Sequence, residues 1–339
     1  MKKKIKINFQ YFWQGFNPKD NFFTNLLKKK YRVIISPEPD FVFYSVYPPV
    51  NPPKNIDKIG IILKKISPKL YTLSRQAFSI LYLNVLGISR IPSLKGNFKT
   101  IFFAGEHISP NMNSCDWAFG SDPENKINNP RYMRLPTYLV ADYQLGMKKE
   151  SRMLIKRRIN IDNLKKEKTK FCNFIYSQDI PERNKFFSMI NSYKKVDSPG
   201  RCMNNMAPIG ANDPKKSRMA KNWVSQKINF LRSYKFTIAF ENADIPGWTT
   251  EKLIHPMLAN SIPIYFGNDF VSSEFNTKSF INYHDFKSIE DFIKHIKNID
   301  TNEKLWEKYL KQPWFKSNRP NKYFSEKRIL LRFKKIFGY

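Results

Sequence analysis

Apolar and polar positions in the first half of the chain alternate with the periods of short strands and helices. The segment "IKINFQYF" (5–12) sets Ile5, Ile7 and Phe9 between polar residues, which is the period of two of a half-buried strand. Residues 21–30 have helical spacing, and "YRVIIS" and "DFVFYSV" are again strand-like. This alternation predicts an α/β fold in which helices cover a mostly parallel sheet.

A second α/β unit is predicted in the other half of the chain. "KFCNFIYSQ" (170–178) has the pattern of its first strand, and a helical stretch, "YKFTIAFEN" (234–242), another helix and "IPIYFG" (262–267) follow. The later strands stop at polar residues or at glycine, so their loops are expected at the carboxyl edge of the sheet. Open parallel sheets bind their ligands at this edge.

A basic stretch of helical composition, residues 142–170, joins the two halves, and we place the domain boundary near Lys156. The length of 339 residues suits two domains of about 150 residues each. The predicted organisation is an amino-terminal domain over 1–156, a second domain over 157–312 and a basic amphipathic helix over 313–339. Two α/β domains of this kind that face each other leave a central cleft for ligands.

The composition is that of a folded and strongly basic protein. Apolar residues make up 41% of the chain and aromatic residues 15%, which is enough for buried cores. Lysine and arginine total 59 against 28 aspartate and glutamate residues, a formal net charge of +31. Nucleic acid, anionic lipid and phosphorylated ligands are natural partners for such a charge. The lysines are spread through every segment without a nucleic-acid-binding motif, so we favour compositional bias over nucleic-acid binding.

Neither cysteine nor histidine indicates a metal site. Cys115, Cys172 and Cys202 have no C-x-x-C spacing, and the 4 histidines fall at no ligand spacing. We expect a reducing compartment and no structural metal. The most apolar window, "FSILYLNVLGI" (78–88), is far shorter than the roughly 20 residues that cross a bilayer, so no transmembrane segment is predicted.

The stretch "IAFENADIPGWTTEKLIHPMLANSIPIYFGND" (238–269) concentrates the candidate chemistry. Its first strand delivers Glu241 and Asn242 to the sheet edge, Gly247 gives a turn, and Thr249 or Thr250 is placed to cap the next helix. The whole stretch therefore predicts a β-loop-α-β unit with its polar loop at the ligand-binding edge.

The helix that follows this loop begins with Glu251 and Lys252. Free backbone N–H groups and the positive end of the helix dipole attract an anion, and the ammonium of Lys252 adds a full charge, so a diphosphate suits this place. Pro256 is expected to shorten or kink the helix. The alternative is that Glu251 and Lys252 only decorate a solvated first turn.

Three segments resemble, in the same order, the signature blocks of a known family. They are "FFAGEHISPNMNSCDWAFGSD" (102–122), "SQDIPERNKFFSMINSYKKVDSPGRCMNN" (177–205) and "AFENADIPGWTTEKLIHPMLANSIPIYFG" (239–267). The family is that of the α1,3-fucosyltransferases, family ten of the glycosyltransferases, in its bacterial type.

The resemblance implies a GT-B architecture, in which one Rossmann-like domain holds the acceptor sugar and the other holds GDP-fucose. It implies inverting transfer of L-fucose to O3 of N-acetylglucosamine in a Galβ1,4GlcNAc-type glycan, which gives a Lewis X-like product. Such a displacement needs a base for the acceptor hydroxyl and cations for the departing diphosphate. A GT-B enzyme with a different nucleotide-sugar donor or acceptor is the alternative.

The resemblance makes Glu106 the general base. Glu106 follows the predicted strand "IFFAG", where the alternative role is to accept hydrogen bonds from the region of Asn111 or Asn113. The family usually has asparagine where this chain has His107, so acceptor contacts are expected to differ.

The family match also assigns the donor site. Arg183 and Lys252 correspond to the residues that bind the diphosphate, although Arg183 lies in "IPERNK", where a surface arginine is the alternative. Glu251 corresponds to the acid that contacts the fucose ring, and it is counted with Glu106 among the catalytic residues because it can stabilise charge at the anomeric carbon.

Three further residues occupy donor-pocket positions of the family. Asn242 and Trp248 are placed there, with Trp248 where relatives often carry tyrosine, although an aromatic residue is more often part of a core. Glu241 either contacts donor hydroxyls or is a buried residue at the end of its strand. No metal site is assigned, and a divalent ion is expected to be stimulatory at most.

The carboxyl-terminal segment 321–339 has an apolar stripe beside a basic face. Such a helix can lie on an anionic membrane surface or pack its stripe against the first domain. The first alternative suits a lipopolysaccharide-type acceptor and a cytoplasmic protein that is peripheral on the inner face of the cell membrane.

Overall fold

The computed structural model describes residues 2–13, 15–47, 92, 94, 96–140, 155–212 and 222–338. Its contacts divide the chain into two units. Residues 1–135 and 326–339 form the first, and residues 136–325 form the second. The apolar window (78–88) and residues 142–154 of the basic stretch lie outside the described residues.

The elements within the described ranges are short. The strands are β1 (Lys3–Gln10), β2 (Tyr31–Ile35), β3 (Phe41–Tyr44), β4 (Lys99–Phe103), β5 (Trp117–Gly120), β6 (Tyr132–Arg134), β7 (Lys170–Asn173), β8 (Val196–Asp197), β9 (Tyr234–Phe240), β10 (Ile262–Phe266) and β11 (Ile281–Asn282). The helices are α1 (Phe22–Lys28), α2 (Glu124–Ile127), α3 (Thr137–Val140), α4 (Ile161–Glu167), α5 (Pro181–Tyr193), α6 (Trp223–Leu231), α7 (Glu251–Leu258), α8 (Ile289–Thr301), α9 (Glu303–Lys311) and α10 (Glu326–Phe337).

The sheet of the first unit has the order β2-β1-β3-β4-β5-β6, and its paired strands are all parallel. Asn21 caps α1 by accepting a hydrogen bond from the backbone of Thr24, as its short polar side chain favours. The register pairs Tyr44 of β3 with Phe102 of β4, so the loops after these two strands start side by side.

The helix α10 completes the core of the first unit. The ring of Phe333 lies 5.3 to 6.4 Å from those of Phe23, Phe43 and Phe119, and Phe337 lies 4.5 Å from Phe41. The apolar stripe of α10 is therefore buried against the aromatic side chains of the first unit. Of the two alternatives for the tail, packing on the first domain is the one observed, and α10 does not form a separate segment.

The sheet of the second unit has the order β11-β10-β9-β7-β8, again with parallel pairs. Its core contains the aromatic side chains of Phe174, Phe186, Phe236 and Phe292, each at most 1% exposed. Two parallel sheets with helices confirm the predicted α/β class.

The division between the units falls at Leu135, ahead of the boundary predicted near Lys156. The reason is visible in α3. The hydroxyl of Tyr138 donates to Glu274 Oε2 at 2.7 Å, and its ring lies 5.4 Å from that of Phe275, so the chain after Leu135 packs with the second unit. Sequence composition indicated a linker but not these contacts.

Within the described ranges, no helix combines the length and apolarity that a bilayer crossing needs.

Candidate functional site

The loop between β9 and α7 closes at Thr250. The side chain of Thr250 accepts a hydrogen bond from the backbone N–H of Lys252 at 3.3 Å, which makes it the N-cap of α7. Pro256 lies within α7, and the helix ends two residues later at Leu258. The predicted cap and the short helix are both observed.

Glu241 ties this cap to the sheet. Its backbone N–H donates to the carbonyl of Phe266 at 2.8 Å, and its carboxylate accepts hydrogen bonds from both the backbone and the hydroxyl of Thr250 at 2.8 to 3.0 Å. The residue is 2% exposed. Of the two alternatives for Glu241, its burial fits that of a buried residue at the end of its strand.

Lys252 pairs with this buried carboxylate. Its Nζ lies 3.1 Å from Glu241 Oε2 and 3.2 Å from Thr250 Oγ1. Burial acts to lower the pKa of Lys252, but the charges of Glu241 and Glu251 outweigh it and raise that pKa above its ordinary value. The ammonium is therefore held charged and in a fixed place at the start of α7, where Glu251 is half-buried.

Asn268 fixes the other side of the loop. Its Oδ1 accepts from the backbone N–H of Gly247 at 2.6 Å, and its Nδ2 donates to Thr249 Oγ1 at 2.9 Å. Gly247 has φ +84°, which favours glycine. Trp248 is 4% exposed, so its side chain is buried, as the alternative of a core role for this aromatic residue has it. Its donor contact stays a prediction.

Arg183 is buried in the first turn of α5 and is 1% exposed, so the surface-arginine alternative is wrong. Its Cζ lies 3.7 Å from the centroid of the Tyr176 ring. Nη1 donates to Asn242 Oδ1 at 3.1 Å and Nη2 to the carbonyl of Gln178 at 2.5 Å. Its Nε is buried and has no hydrogen-bond partner among the residues that the structure describes. A buried, stacked guanidinium with a donor left over is suited to an anionic ligand.

Tyr176 is itself fixed to β9. Its hydroxyl lies 2.8 and 3.0 Å from the carbonyl oxygens of Ile238 and Phe240, and either of them can accept its proton. The same hydroxyl accepts a hydrogen bond from the backbone N–H of Phe240 at 2.7 Å. Sequence reasoning missed Tyr176, Gln178 and Asn268. Tyr176 and Gln178 stand at the end of the predicted strand 170–178, and Asn268 directly follows the predicted strand 262–267. Their signal was this place at the carboxyl edge of the sheet.

The second unit thus gathers most of the predicted donor residues. Arg183 contacts Asn242, and the neighbouring Glu241 contacts Lys252. Glu251 begins the same helix as Lys252.

Glu106 belongs to the first unit, directly after β4 and Gly105. It is half-buried, and its Oε1 lies 3.0 Å from the hydroxyl of Tyr47. This contact differs from the one expected with the region of Asn111 or Asn113. His107 is exposed.

Within the described ranges, no three histidine, cysteine, aspartate or glutamate side chains group as metal ligands. Cys115, Cys172 and Cys202 are all free thiols and buried. That catalysis needs no metal stays a prediction.

Comparison with known proteins gives matches over nearly the whole chain. Residues 165–335 match the family model "Glycosyltransferase family 10 (fucosyltransferase) C-term", and residues 7–59 and 54–141 match the alpha-(1,3)-fucosyltransferase FucT N-terminal domain. The alpha-(1,3)-fucosyltransferase FucT of Helicobacter pylori is 30% identical over 84% of this chain and 61% of its own length. The putative fucosyltransferase R654 of Acanthamoeba polyphaga mimivirus is 38% identical over 47% of this chain and 26% of its own length.

The chain therefore spans less than two thirds of the length of these relatives. A crystal structure of an alpha1,3-fucosyltransferase matches 100% of this chain and 91% of the other, with a TM-score of 0.68 and 26% identity. A second, with GDP-fucose, matches 99% of this chain and 91% of the other, with a TM-score of 0.67 and 25% identity. The predicted GT-B fold class is thereby confirmed, and this chain belongs to glycosyltransferase family 10, the fucosyltransferases.

Proposed function

We propose that this protein transfers L-fucose from GDP-fucose to O3 of N-acetylglucosamine in a Galβ1,4GlcNAc-type glycan, with inversion at the anomeric carbon and a Lewis X-like product. The relative from Helicobacter pylori is named an alpha-(1,3)-fucosyltransferase, and one matching crystal structure is of an alpha1,3-fucosyltransferase with GDP-fucose. The observation that carries the proposal is the buried Arg183, which stacks on Tyr176, donates to Asn242 and has no hydrogen-bond partner for its Nε among the described residues.

The donor residues divide the work on the nucleotide sugar. Arg183 and Lys252 neutralise the diphosphate as its bond to the anomeric carbon breaks, and the positive end of the α7 dipole adds to this field. Glu251 lies beside them, contacts the fucose ring and stabilises the positive charge that develops on the sugar. Asn242 orients the Arg183 guanidinium, and the loop that contains Trp248 covers the donor. Glu241 sets the position of Lys252.

Glu106 completes the reaction from the acceptor side. Its carboxylate removes the proton of the acceptor hydroxyl while the oxygen forms a bond to the anomeric carbon, and GDP leaves with the electron pair of the broken bond. No metal is required, because protein cations carry the charge of the leaving group. A divalent ion is at most stimulatory.

The test is a transfer assay. The purified protein is incubated with GDP-fucose and N-acetyllactosamine, with and without EDTA, and the product is examined by mass spectrometry for an added deoxyhexose. Glu106→Gln is expected to lower transfer by about 100-fold or more, since general base catalysis contributes factors of that order, while GDP-fucose still binds in a calorimeter. Glu38→Gln, at an exposed position of the same unit, is the matched control and keeps wild-type transfer.

Near-normal transfer by Glu106→Gln would remove Glu106 from the role of base. Transfer from another nucleotide sugar in a donor panel, with none from GDP-fucose, would replace the proposed donor.

The natural acceptor is an oligosaccharide or a lipopolysaccharide-type glycan, and the protein works in the cytoplasm on the inner face of the cell membrane. This part of the proposal is supported by the net charge of +31 and by the exposed lysines of α10.

A further inference from the structure

Two neighbouring parallel strands bring Tyr47 to Glu106. The register pairs Tyr44 of β3 with Phe102 of β4. Tyr47 and Gly105 each lie three residues further along, so the two residues are neighbours. The Tyr47 hydroxyl lies 3.0 Å from Glu106 Oε1 and 3.0 Å from the Gly105 carbonyl. The contact follows directly from sheet topology.

Tyr47 is held from a third strand as well. Its backbone N–H donates to the carbonyl of Tyr11, just beyond β1, at 3.0 Å. Its ring meets the indole of Trp13 edge to face, with 5.9 Å between centroids and 81° between planes. The hydroxyl is thus fixed in place by the ends of β1, β3 and β4 rather than by a surface rotamer.

Gly105 leaves the space that this contact needs. A Cβ at position 105 would lie 2.9 Å from Ser45 Oγ and 3.0 Å from Tyr47 Cε2. The hydroxyl of Ser45 donates to the carbonyl of Phe103 at 2.7 Å in a buried setting, so Ser45 is not free to move away. A side chain at Gly105 would therefore displace the ring of Tyr47.

We propose that Tyr47 is the positioning residue for the general base, a role that rests on the proposed function. Its hydroxyl has one proton and two acceptors within reach, Glu106 Oε1 and the Gly105 carbonyl. While Glu106 is ionised, the carboxylate is the stronger acceptor and Tyr47 holds Oε1, which assigns proton transfer to Oε2. Once Glu106 has taken the proton of the acceptor sugar, the Tyr47 hydroxyl donates its hydrogen bond to the Gly105 carbonyl instead of to Oε1.

Removing the hydroxyl has a consequence that loss of packing does not have. Tyr47→Phe keeps the aromatic ring that meets Trp13 and removes only the hydroxyl that contacts Glu106 Oε1. The Glu106 carboxylate then loses a contact that fixes its orientation, so we expect kcat to fall while binding of GDP-fucose is retained.

The experiment compares wild type, Tyr47→Phe and Gly105→Ala in GDP-fucose transfer. We expect kcat to fall about tenfold in both variants, as for loss of a hydrogen bond to a charged group, and the KM for GDP-fucose to stay unchanged. Tyr44→Phe is the matched control, because it removes a buried tyrosine hydrogen bond of 3.1 Å, to the carbonyl of Ser114. It should keep the kcat of wild type.

A kcat in Tyr47→Phe that equals that of wild type overturns the proposal. A second measurement does not depend on turnover. The carboxyl ¹³C resonance of Glu106 is recorded at one pH in glutamate-labelled protein, and it is assigned through Glu106→Gln. A resonance at the same position in wild type and Tyr47→Phe rejects the inference, whereas a wild-type protein without transfer but with a shifted resonance in the variant rejects only the proposed function.

Discussion

Lys252 is held in place by a buried carboxylate. Its ammonium is 3.1 Å from Glu241 Oε2, and that carboxylate is in turn fixed by two donors of Thr250. Gly267, directly after β10, leaves the space that the Glu241 side chain needs, because a Cβ there would lie 2.6 Å from Glu241 Cγ. The pair therefore fixes the position of a cation in a buried place, where an unpaired charge would be strongly unfavourable.

We expect Glu241→Gln to destabilise the protein by about 3 kcal/mol, since it keeps the shape but leaves the ammonium of Lys252 without its counter-charge. Lys252→Met should cost a similar amount, and the double variant should cost less than the sum of the two. The measurement is urea unfolding of the four proteins as a double-mutant cycle. Glu290→Gln, at an exposed position on α8, is the control. Additive costs would mean that the two residues do not stabilise each other.

At the scale of elements, local pattern was sufficient for the strands before Glu106 and Glu241 and for the cap of α7, but not for the short strands β6, β8 and β11. The strands that deliver Glu106 and Glu241 were predicted because apolar runs stop at polar residues, and Thr250 was among the predicted caps. The burial of Arg183 was not predictable in this way. It depends on the ring of Tyr176, which lies in the segment between β7 and α5 and gives no periodic signal near Arg183.

The helix α10 shows the same limit from another side. The sequence indicated which of its faces is apolar, but it left open whether a membrane or the protein covers that face. The aromatic side chains of β3 and β5 decide the matter by packing on Phe333. An amphipathic pattern specifies a surface to be buried and not the partner that buries it.

We expect Phe333→Ala to lower the free energy of unfolding by about 3 to 5 kcal/mol, because the ring is fully buried among aromatic neighbours and its removal leaves a cavity. Leu331→Ala is the matched control on the same helix, since Leu331 is 56% exposed and should cost under about 0.5 kcal/mol. Urea unfolding followed by circular dichroism measures both. Equal costs would show that α10 is not part of the core of the first unit.

For the molecule as a whole, the net charge of +31 acts through those cations that are not already engaged. On α10, Arg328 pairs with Glu124 at 2.5 Å and Arg332 donates to the carbonyl of Pro130 at 2.6 Å. Lys327 and Lys334 are exposed on the same helix. Because its apolar stripe is buried, α10 has exposed charge that an anionic membrane would attract, but no apolar face to insert into the bilayer.

Binding to lipid vesicles should therefore be electrostatic. We expect the protein to bind phosphatidylglycerol-containing vesicles at about 0.05 M salt and to be released at about 0.5 M, where screening shortens to a few ångströms. Replacing Lys327 and Lys334 by glutamate should weaken binding at least about tenfold, at about 1 kcal/mol per lysine near the surface, whereas Leu331→Ala should leave it unchanged. Cosedimentation measures each, with phosphatidylcholine vesicles as the uncharged control. Binding that survives high salt and is lost in Leu331→Ala would mean instead that α10 leaves its place in the core and inserts, because only burial of apolar side chains in the bilayer resists screening.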